Sequence, residues 1–337
     1  MNPVEAIKTN PFVLAPMAGI TDHAFRTFIK RLGASVVVTE LVSSNGIEYK
    51  SEKTLKLMSF DASQRPVGIQ LFGEEPEILA RAAQVAEADG CDFVDLNFGC
   101  PVPKVVKKGA GSAMLKDPVA LQKVLSAVKG AIKIPLTIKI RTGWDSNSRN
   151  AVEICNIAYN EGVSWVAIHG RTRAQAYTGF ADWDFITDVK AKSKLPILGN
   201  GDILTPKQAV LRLEQSGCDG VMIGRGCLKN PFIFMDALSL WRGEPLQEVQ
   251  RDYVSLFNSL KDELAAHCDD HILGIQLRKF AAWFSTGYSG AAQFRKNLFQ
   301  SKSNEEIMNL ANEFFATIGQ VEQEDTSQEE FLMGGHG

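Results

Sequence analysis

A chain of 337 residues, 45% hydrophobic and 22% charged, has the make-up of an ordinary globular protein and exceeds the usual size of a single core, so one large domain and a smaller one are expected. Its opening, MNPVEAIKTN, lacks an apolar targeting run, and no stretch of about 18 consecutive apolar residues occurs, so neither export nor membrane spanning is expected and a cytoplasmic protein is. Formal charge is −3, yet the segment from Val321 onward holds five acids and no Lys or Arg, which leaves 36 basic against 34 acidic residues and permits a polyanionic partner without requiring one.

In chain order, eight short runs read as strands: FVLA (12–15), SVVVT (35–39), VGIQLF (67–72), FVDLN (93–97), LTIKI (136–140), WVAIH (165–169), PILGN (196–200) and GVMIG (220–224). They are near-continuous apolar runs rather than alternations, the pattern of parallel strands covered on both faces. Helical patterns separate them, such as PEILARAAQVAEADG, where Pro76 suits a first turn and Gly90 a helix end. A weak repeat of about 60 residues runs through the series. Pro11, Pro66, Pro135 and Pro196 lead into alternate strands, and Gly33, Gly90, Gly162 and Gly217 precede the others. This rhythm predicts an α/β fold, a (β/α)8 TIM barrel over residues 1–243, with a doubly wound open sheet as the rival. Beyond it, LQEVQRDYVSLFNSLKDELAAH, ILGIQLRKFAAWFSTG and NEEIMNLANEFFATIGQ read as amphipathic helices. A small all-α helical domain is therefore expected over 244–320, then a disordered acidic tail over 321–337.

In such a barrel the working residues sit where strands end and loops begin. Those positions hold Met17, Glu40, Gln70, Asn97, Lys139, His169, Asn200 and Gly224, a largely polar ring round one mouth. Two glycine-rich turns, GNGDI (199–203) and GRG (224–226), follow the last two strands. They suit a phosphate cradle of backbone amides, or simply tight turns; Arg225 tilts them toward phosphate. Lys139, ending an apolar strand, needs an anion, either a ligand such as a reduced flavin ring or a carboxylate such as Glu40. His169 alone reads first as a core histidine, and Gln70 can meet a polar ring edge or a neighbouring loop.

The six cysteines (91, 100, 155, 218, 227 and 268) form no Cys-x-x-Cys pair and no cluster with His at zinc spacing, so free thiols and no metal are expected. Cys91 and Cys218 occupy equivalent Gly-Cys-Asp sequences ahead of strands and look structural. Cys100 instead follows a strand end inside a Gly-Cys-Pro turn, with Lys104, Lys107 and Lys108 close by. A nucleophile, a proton donor and plain loop packing are all open to it, although no His or carboxylate arrangement argues for a protease-like dyad.

The segments LAPMAGITDHAFR (14–26), TELVSSN (39–45), IQLFG (69–73), DLNFGCPVPKVVKKGAGSAML (95–115), IKIRTGWD (138–145), IHGRTR (168–173), GNGDI (199–203) and MIGRG (222–226) together resemble the tRNA-dihydrouridine synthases, most nearly their bacterial B type. The likeness spans the barrel; LRKFAAWF (277–284) is its best segment in the helical part. It implies an FMN enzyme that reduces the C5–C6 double bond of a uridine in the tRNA D-loop, position 17 by subfamily analogy, with NADPH (or NADH) as reductant. It implies that Cys100 gives the proton to C5. FMN would meet Pro16, Met17, Ala18, Gln70, Lys139, His169, Asn200, Gly201, Asp202, Gly224 and Arg225. Asn97 and Arg171 would hold the uracil, while Arg278, Lys279, Arg295 and Lys296 would grip tRNA phosphates. No DNA or membrane partner is expected, and a monomer is. The alternatives are an FMN barrel acting on a free pyrimidine, like dihydroorotate dehydrogenase, a non-catalytic RNA-binding barrel, and a flavin-free phosphate-binding lyase.

Overall fold

The computed structural model describes residues 2–246 and 251–318; the expected acidic tail, 321–337, lies outside them. Its strands are β1 (Phe12–Leu14), β2 (Val37–Val38), β3 (Val42–Ser43), β4 (Val67–Phe72), β5 (Phe93–Phe98), β6 (Leu136–Arg141), β7 (Val166–His169), β8 (Ile197–Asn200) and β9 (Gly220–Ile223). All pair in parallel in the order β1-β9-β8-β7-β6-β5-β4-β2, with β3 set beside the far end of β4. Ser35 N donates to Phe12 O at 2.9 Å and Leu14 N to Val36 O at 3.0 Å, so the two ends of the path meet. The sheet is the expected barrel and not the open rival. Each of the eight runs forms its strand, and β3 is an addition the sequence reading lacked.

Helices α1 (Pro3–Thr9), α2 (His23–Arg31), α3 (Ser44–Glu48), α4 (Glu52–Met58), α5 (Pro76–Ala88), α6 (Pro103–Val106), α7 (Pro118–Ala131), α8 (Ala151–Asn160), α9 (Trp183–Lys192), α10 (Pro206–Ser216), α11 (Gly226–Lys229) and α12 (Ile233–Trp241) accompany the strands. Local chemistry sets their ends. In α10, Thr205 and Gln208 form a reciprocal capping box, Pro206 fills the first turn, and Gly217 closes the helix at φ 63° with its N–H on Leu213 O.

Side chains alternate in and out along each strand, so the barrel interior is built in layers. At the N-terminal end, Val13, Val36, Phe93, Trp165, Leu198 and Met222 form a dry floor, closed from below by Ile7 of α1. Phe93 and Trp165 meet edge-on at 5.3 Å, and a Cβ on Gly68 would lie 2.3 Å from the Phe93 ring, so no larger residue fits there.

Helices α13 (Tyr253–Ala265), α14 (Asp270–Phe284), α15 (Ala291–Gln300) and α16 (Asn304–Ile318) form the C-terminal helical region. The three expected helices are there, joined by α15, which was not anticipated; residues 247–250 and 319–320 of the expected spans lie outside the described residues. Phe280 of α14 stacks on Phe25 of α2 at 4.9 Å, and Phe284 on Phe28 at 6.2 Å. One apolar cluster runs from the outer shell of the barrel into these helices, which seats them against the β1, β2 and β9 side of the mouth. Among the described residues no helix is long and apolar enough to cross a membrane.

Candidate active site at the barrel mouth

The C-terminal strand ends carry the expected ring. Gln70 (β4), Asn97 (β5), Lys139 (β6), His169 (β7) and Asn200 (β8) stand on five neighbouring strands, and register places Asn97 beside Lys139 and His169 beside Asn200. Asn97 Nδ2 donates to Gln70 Oε1 at 2.9 Å, and Lys139 Nζ to Asn200 Oδ1 at 3.0 Å. Asn200 Nδ2 in turn donates to Met222 O at 2.9 Å. Glu40, the alternative partner of Lys139, is taken elsewhere: its carboxylate accepts from the Gly19 backbone N–H.

The two glycine-rich turns lie side by side with the first strand end. Gly201 has φ 124°, and a Cβ there would meet Ala181 at 2.6 Å and His169 at 3.0 Å, so glycine is required. Asp202 follows at φ 51° and links two arginines, taking Arg171 Nη1 at 2.9 Å and standing 3.6 Å from Arg225 Nη2. A Cβ on Gly224 would point at Met17 Sδ, 3.5 Å away, which puts this turn against the loop of Pro16, Met17 and Ala18.

Cys100 is held by its backbone on both sides. Its N–H donates to Asn97 Oδ1 at 2.8 Å, and its carbonyl accepts from Ser112 N at 3.1 Å and Ser112 Oγ at 2.8 Å. Arg141 adds a brace, with Nε on Gly99 O at 2.9 Å and Nη1 on Thr172 O and Ala176 O at 2.8 and 2.7 Å. Cys91, Cys155, Cys218 and Cys227 are buried, whereas Cys100 is half-buried at the mouth. Lys104, Lys107 and Lys108 are exposed on the short segment after it.

Burial and crowded cations set the protonation states. His169 is pushed well below its ordinary value by burial first, then by Lys139, Arg141, Arg171 and Arg225, so it is neutral at pH 7. Burial, aided by Arg141, lowers Lys139 to about 8, while Asp95 and Cys100 pull it the other way. Burial raises the Cys100 thiol above 9.0, against the opposing pull of the Val102 N–H, Arg141 and Lys139. A protonated thiol therefore faces a mouth rich in positive charge.

Two of the arginines named from the sequence are also bonded within the protein. Arg171 is 3% exposed, and besides Asp202 it donates to Thr178 O at 3.2 Å and Gly179 O at 2.6 Å. Its guanidinium holds the loop after β7 and Asp202, and its Nη1 also stands 3.4 Å from His169 Nε2. Arg278 donates to Ser301 O at 2.8 Å and Gly274 O at 3.1 Å and so ties α14 to the end of α15. Lys279 points back to the barrel, on Gly19 O at 3.1 Å, while Lys296 is exposed.

The sequence reading missed Asp95, Arg141 and Tyr177. Strand alternation was the available signal for the first two, since Asp95 lies two residues from Asn97 and Arg141 two from Lys139. Tyr177 lies in a loop, and only the fold brings its ring within 5.8 Å of Arg141 and 5.9 Å of Arg225.

Lys139, Arg141, Arg171 and Arg225 gather round His169, and the carboxylates among them are Asp95 and Asp202. That surplus of positive charge, beside turns with no Cβ at positions 201 and 224, fits a ligand with a phosphate and a planar polar ring, as FMN has. Fold and side chains together define a parallel-barrel protein whose polar and cationic groups gather at the strand C-termini, with a protonated thiol at the rim.

A profile described as Dihydrouridine synthase (Dus) matches residues 13–319. The chain belongs to the dihydrouridine synthase family. It is 38% identical over 317 residues to the "Probable tRNA-dihydrouridine synthase" of Rickettsia prowazekii, covering 91% of this chain and 94% of that one. It is 37% identical over 314 residues to "tRNA-dihydrouridine synthase B" of Pseudomonas aeruginosa, covering 91% and 93%. Among solved structures it resembles histamine dehydrogenase from Rhizobium sp. 4-9, with a TM-score of 0.53 at 13% identity over 78% of this chain and 51% of that one. A 2-naphthoyl-CoA reductase gives 0.54 at 13% identity, over 70% and 50%. The chain thus spans about half the length of these two structures, and the likeness to them is one of fold.

Proposed function

We propose that this protein is a tRNA-dihydrouridine synthase that reduces the C5–C6 double bond of a D-loop uridine, at position 17, with Cys100 as the general acid. The observation that carries this reading is the Cys100 turn: a thiol kept protonated by burial, pinned by Asn97 and Ser112, beside a cationic mouth. FMN, when bound, supplies the hydride for C6 of uracil, with NADPH as the source of electrons.

Gly201, Asp202, Gly224 and Arg225 would hold the phosphate of FMN, with Asn200 beside them. Gln70, Lys139 and His169 would face its ring, next to Pro16, Met17 and Ala18. Lys139 and neutral His169 offer a cation and a hydrogen-bonding group where negative charge is to be stabilised. Asn97 would hold the uracil, Arg171 would keep Asp202 in place, and Cys100 Sγ would give its proton to C5.

The uridine must leave the RNA stack to reach a site at the mouth of a barrel. Lys104, Lys107 and Lys108 on one rim, with Lys279, Arg295 and Lys296 on the helical side, would take phosphates across the mouth by shape rather than sequence. In this reading residues 1–243 are the catalytic barrel and 244–320 the tRNA-binding domain of a cytoplasmic monomer.

The test is dihydrouridine mapped to the nucleotide in tRNA from cells lacking the protein, complemented with the native chain or Cys100→Ala. Loss of one D-loop dihydrouridine, restored by the native chain alone, is expected. An unchanged map in cells with no redundant enzyme rejects the reading.

A further inference from the structure

Four side chains on β4, β5 and β6 form one hydrogen-bonded line that ends at the Cys100 turn, and the reaction proposed above makes no use of its far end. Chemistry fixes the direction of that line. The Gly99 and Cys100 N–H groups can only donate, and both reach Asn97 Oδ1, at 3.0 and 2.8 Å. The other end of that amide is therefore Nδ2, which donates to Gln70 Oε1 at 2.9 Å. Gln70 must then turn Nε2 toward Asp95 Oδ2, at 2.7 Å. Thr137 Oγ1 donates to the second carboxylate oxygen at 2.6 Å. The bonds through Asn97 and Gln70 all run from the cysteine turn toward Asp95, and Thr137 donates to Asp95 from the other side; Asp95 is 1% exposed.

We propose that Asp95 is a positioning residue: as the terminal acceptor it locks the amide orientations of Gln70 and Asn97, and through them it holds the Cys100 turn at the mouth. Bonds in such a line polarise one another, so removing the acceptor weakens all of them. Burial raises the Asp95 carboxyl, while Gln70, Thr137 and the nearby Lys139 counter that rise and favour the acceptor form. The line leaves one N–H on each amide outside it, and it fixes which end of each amide that hydrogen sits on. That Cys100 is a proton donor rests on the proposed function; the line itself does not.

Asp95→Asn keeps the shape but puts an ambivalent amide where an acceptor is required. In flavin-stripped protein, alkylation of Cys100 by iodoacetamide at pH 8, read on its peptide by mass spectrometry, is expected to speed up about fivefold, the equivalent of one net hydrogen bond. The midpoint of its pH profile should fall as water reaches the loosened turn. Adding Gln70→Glu to Asp95→Asn restores an acceptor for Asn97 Nδ2 and should return the rate to within about twofold of native. An Asp95→Asn chain that folds and alkylates at the native rate overturns the proposal. A double variant as fast as the single one overturns it too, because an acceptor restored to the line then fails to hold the turn. Should Asp95→Asn fail to fold, Thr137→Val decides on the same readout: an increase of about twofold upholds the proposal and none rejects it. Expected alkylation without any dihydrouridine from the native chain would leave this proposal standing and sink the functional reading alone.

Discussion

The floor and the mouth of this barrel are made by the same strands, often by residues two apart, yet they behave as different materials. On β5, Phe93 packs on Trp165 in the floor, Asp95 sits in a buried hydrogen-bonded layer, and Asn97 reaches the rim. The same path runs from Trp165, just ahead of β7, to His169 at its end. The floor is held by apolar burial, which is non-directional, while the mouth depends on oriented amides and charges that burial penalises. Among the residues of these strands and their loops, the cations Lys139, Arg141 and Arg171 lie at the mouth, where a ligand can compensate them, and the floor holds none.

Substitutions at each end test that separation. Cys100→Ala should lower the rate of uridine reduction by about 10²–10⁴-fold while unfolding stability stays within roughly 0.5 kcal/mol, read by tRNA turnover and denaturant melts. A large stability loss would show that the thiol is packing and not chemistry. In the floor, Trp165→Ala should cost about 3 kcal/mol, the low end for such a change because its indole N–H has no partner among the described residues. Flavin affinity and rate per folded molecule should hold; a matching fall in kcat would erase the distinction between the two ends.

Lys139 supplies a smaller, signed effect. Its folded value of about 8 lies below the ordinary 10.5, so the folded state releases this proton first, and stability rises as pH climbs from about 8 to about 10.5. Below pH 8 the full penalty is present, of order 1–3 kcal/mol. Native minus Lys139→Met unfolding free energies against pH isolate it from Lys30, which burial also lowers to about 8. Added FMN should flatten that difference curve, and a curve unmoved by FMN would mean that Lys139 does not face the ligand. The smallest change belongs to the exposed rim: replacing Lys104, Lys107 and Lys108 by Gln should lower the slope of log tRNA affinity against log salt by about 2, with no change in melting. An unchanged slope would place the RNA elsewhere.

The arrangement of strands was readable because burial on both faces leaves continuous apolar runs, and the alternation that puts Gln70, Asn97, Lys139 and His169 at one rim is a property of each strand alone. The short β3 was not, since Val42 and Ser43 are too few to show a pattern. Neither was α15, whose AAQFRKNLFQ carries only Ala291, Phe294 and Leu298 inward. For Arg171 and Arg278 the sequence displays charge without showing the backbone carbonyls that each one bonds, Gly179 O and Ser301 O.

By itself, then, the sequence determined the strands, the polar rim and the singular setting of Cys100, because these follow from spacing within ten or so residues of chain, whereas closure of the sheet was settled by the hydrogen bonds that join β1 to the segment of β2. Tertiary structure alone decided the partners: Gln70 with Asp95 across 25 residues, Lys139 with Asn200 across 61, and Lys279 with Gly19 across 260. The first of these sets the direction of the line behind Cys100, while burial and the cations brought round His169 set its protonation. They depend on strand register and on which side chains burial forces together, and neither is a local property of the chain.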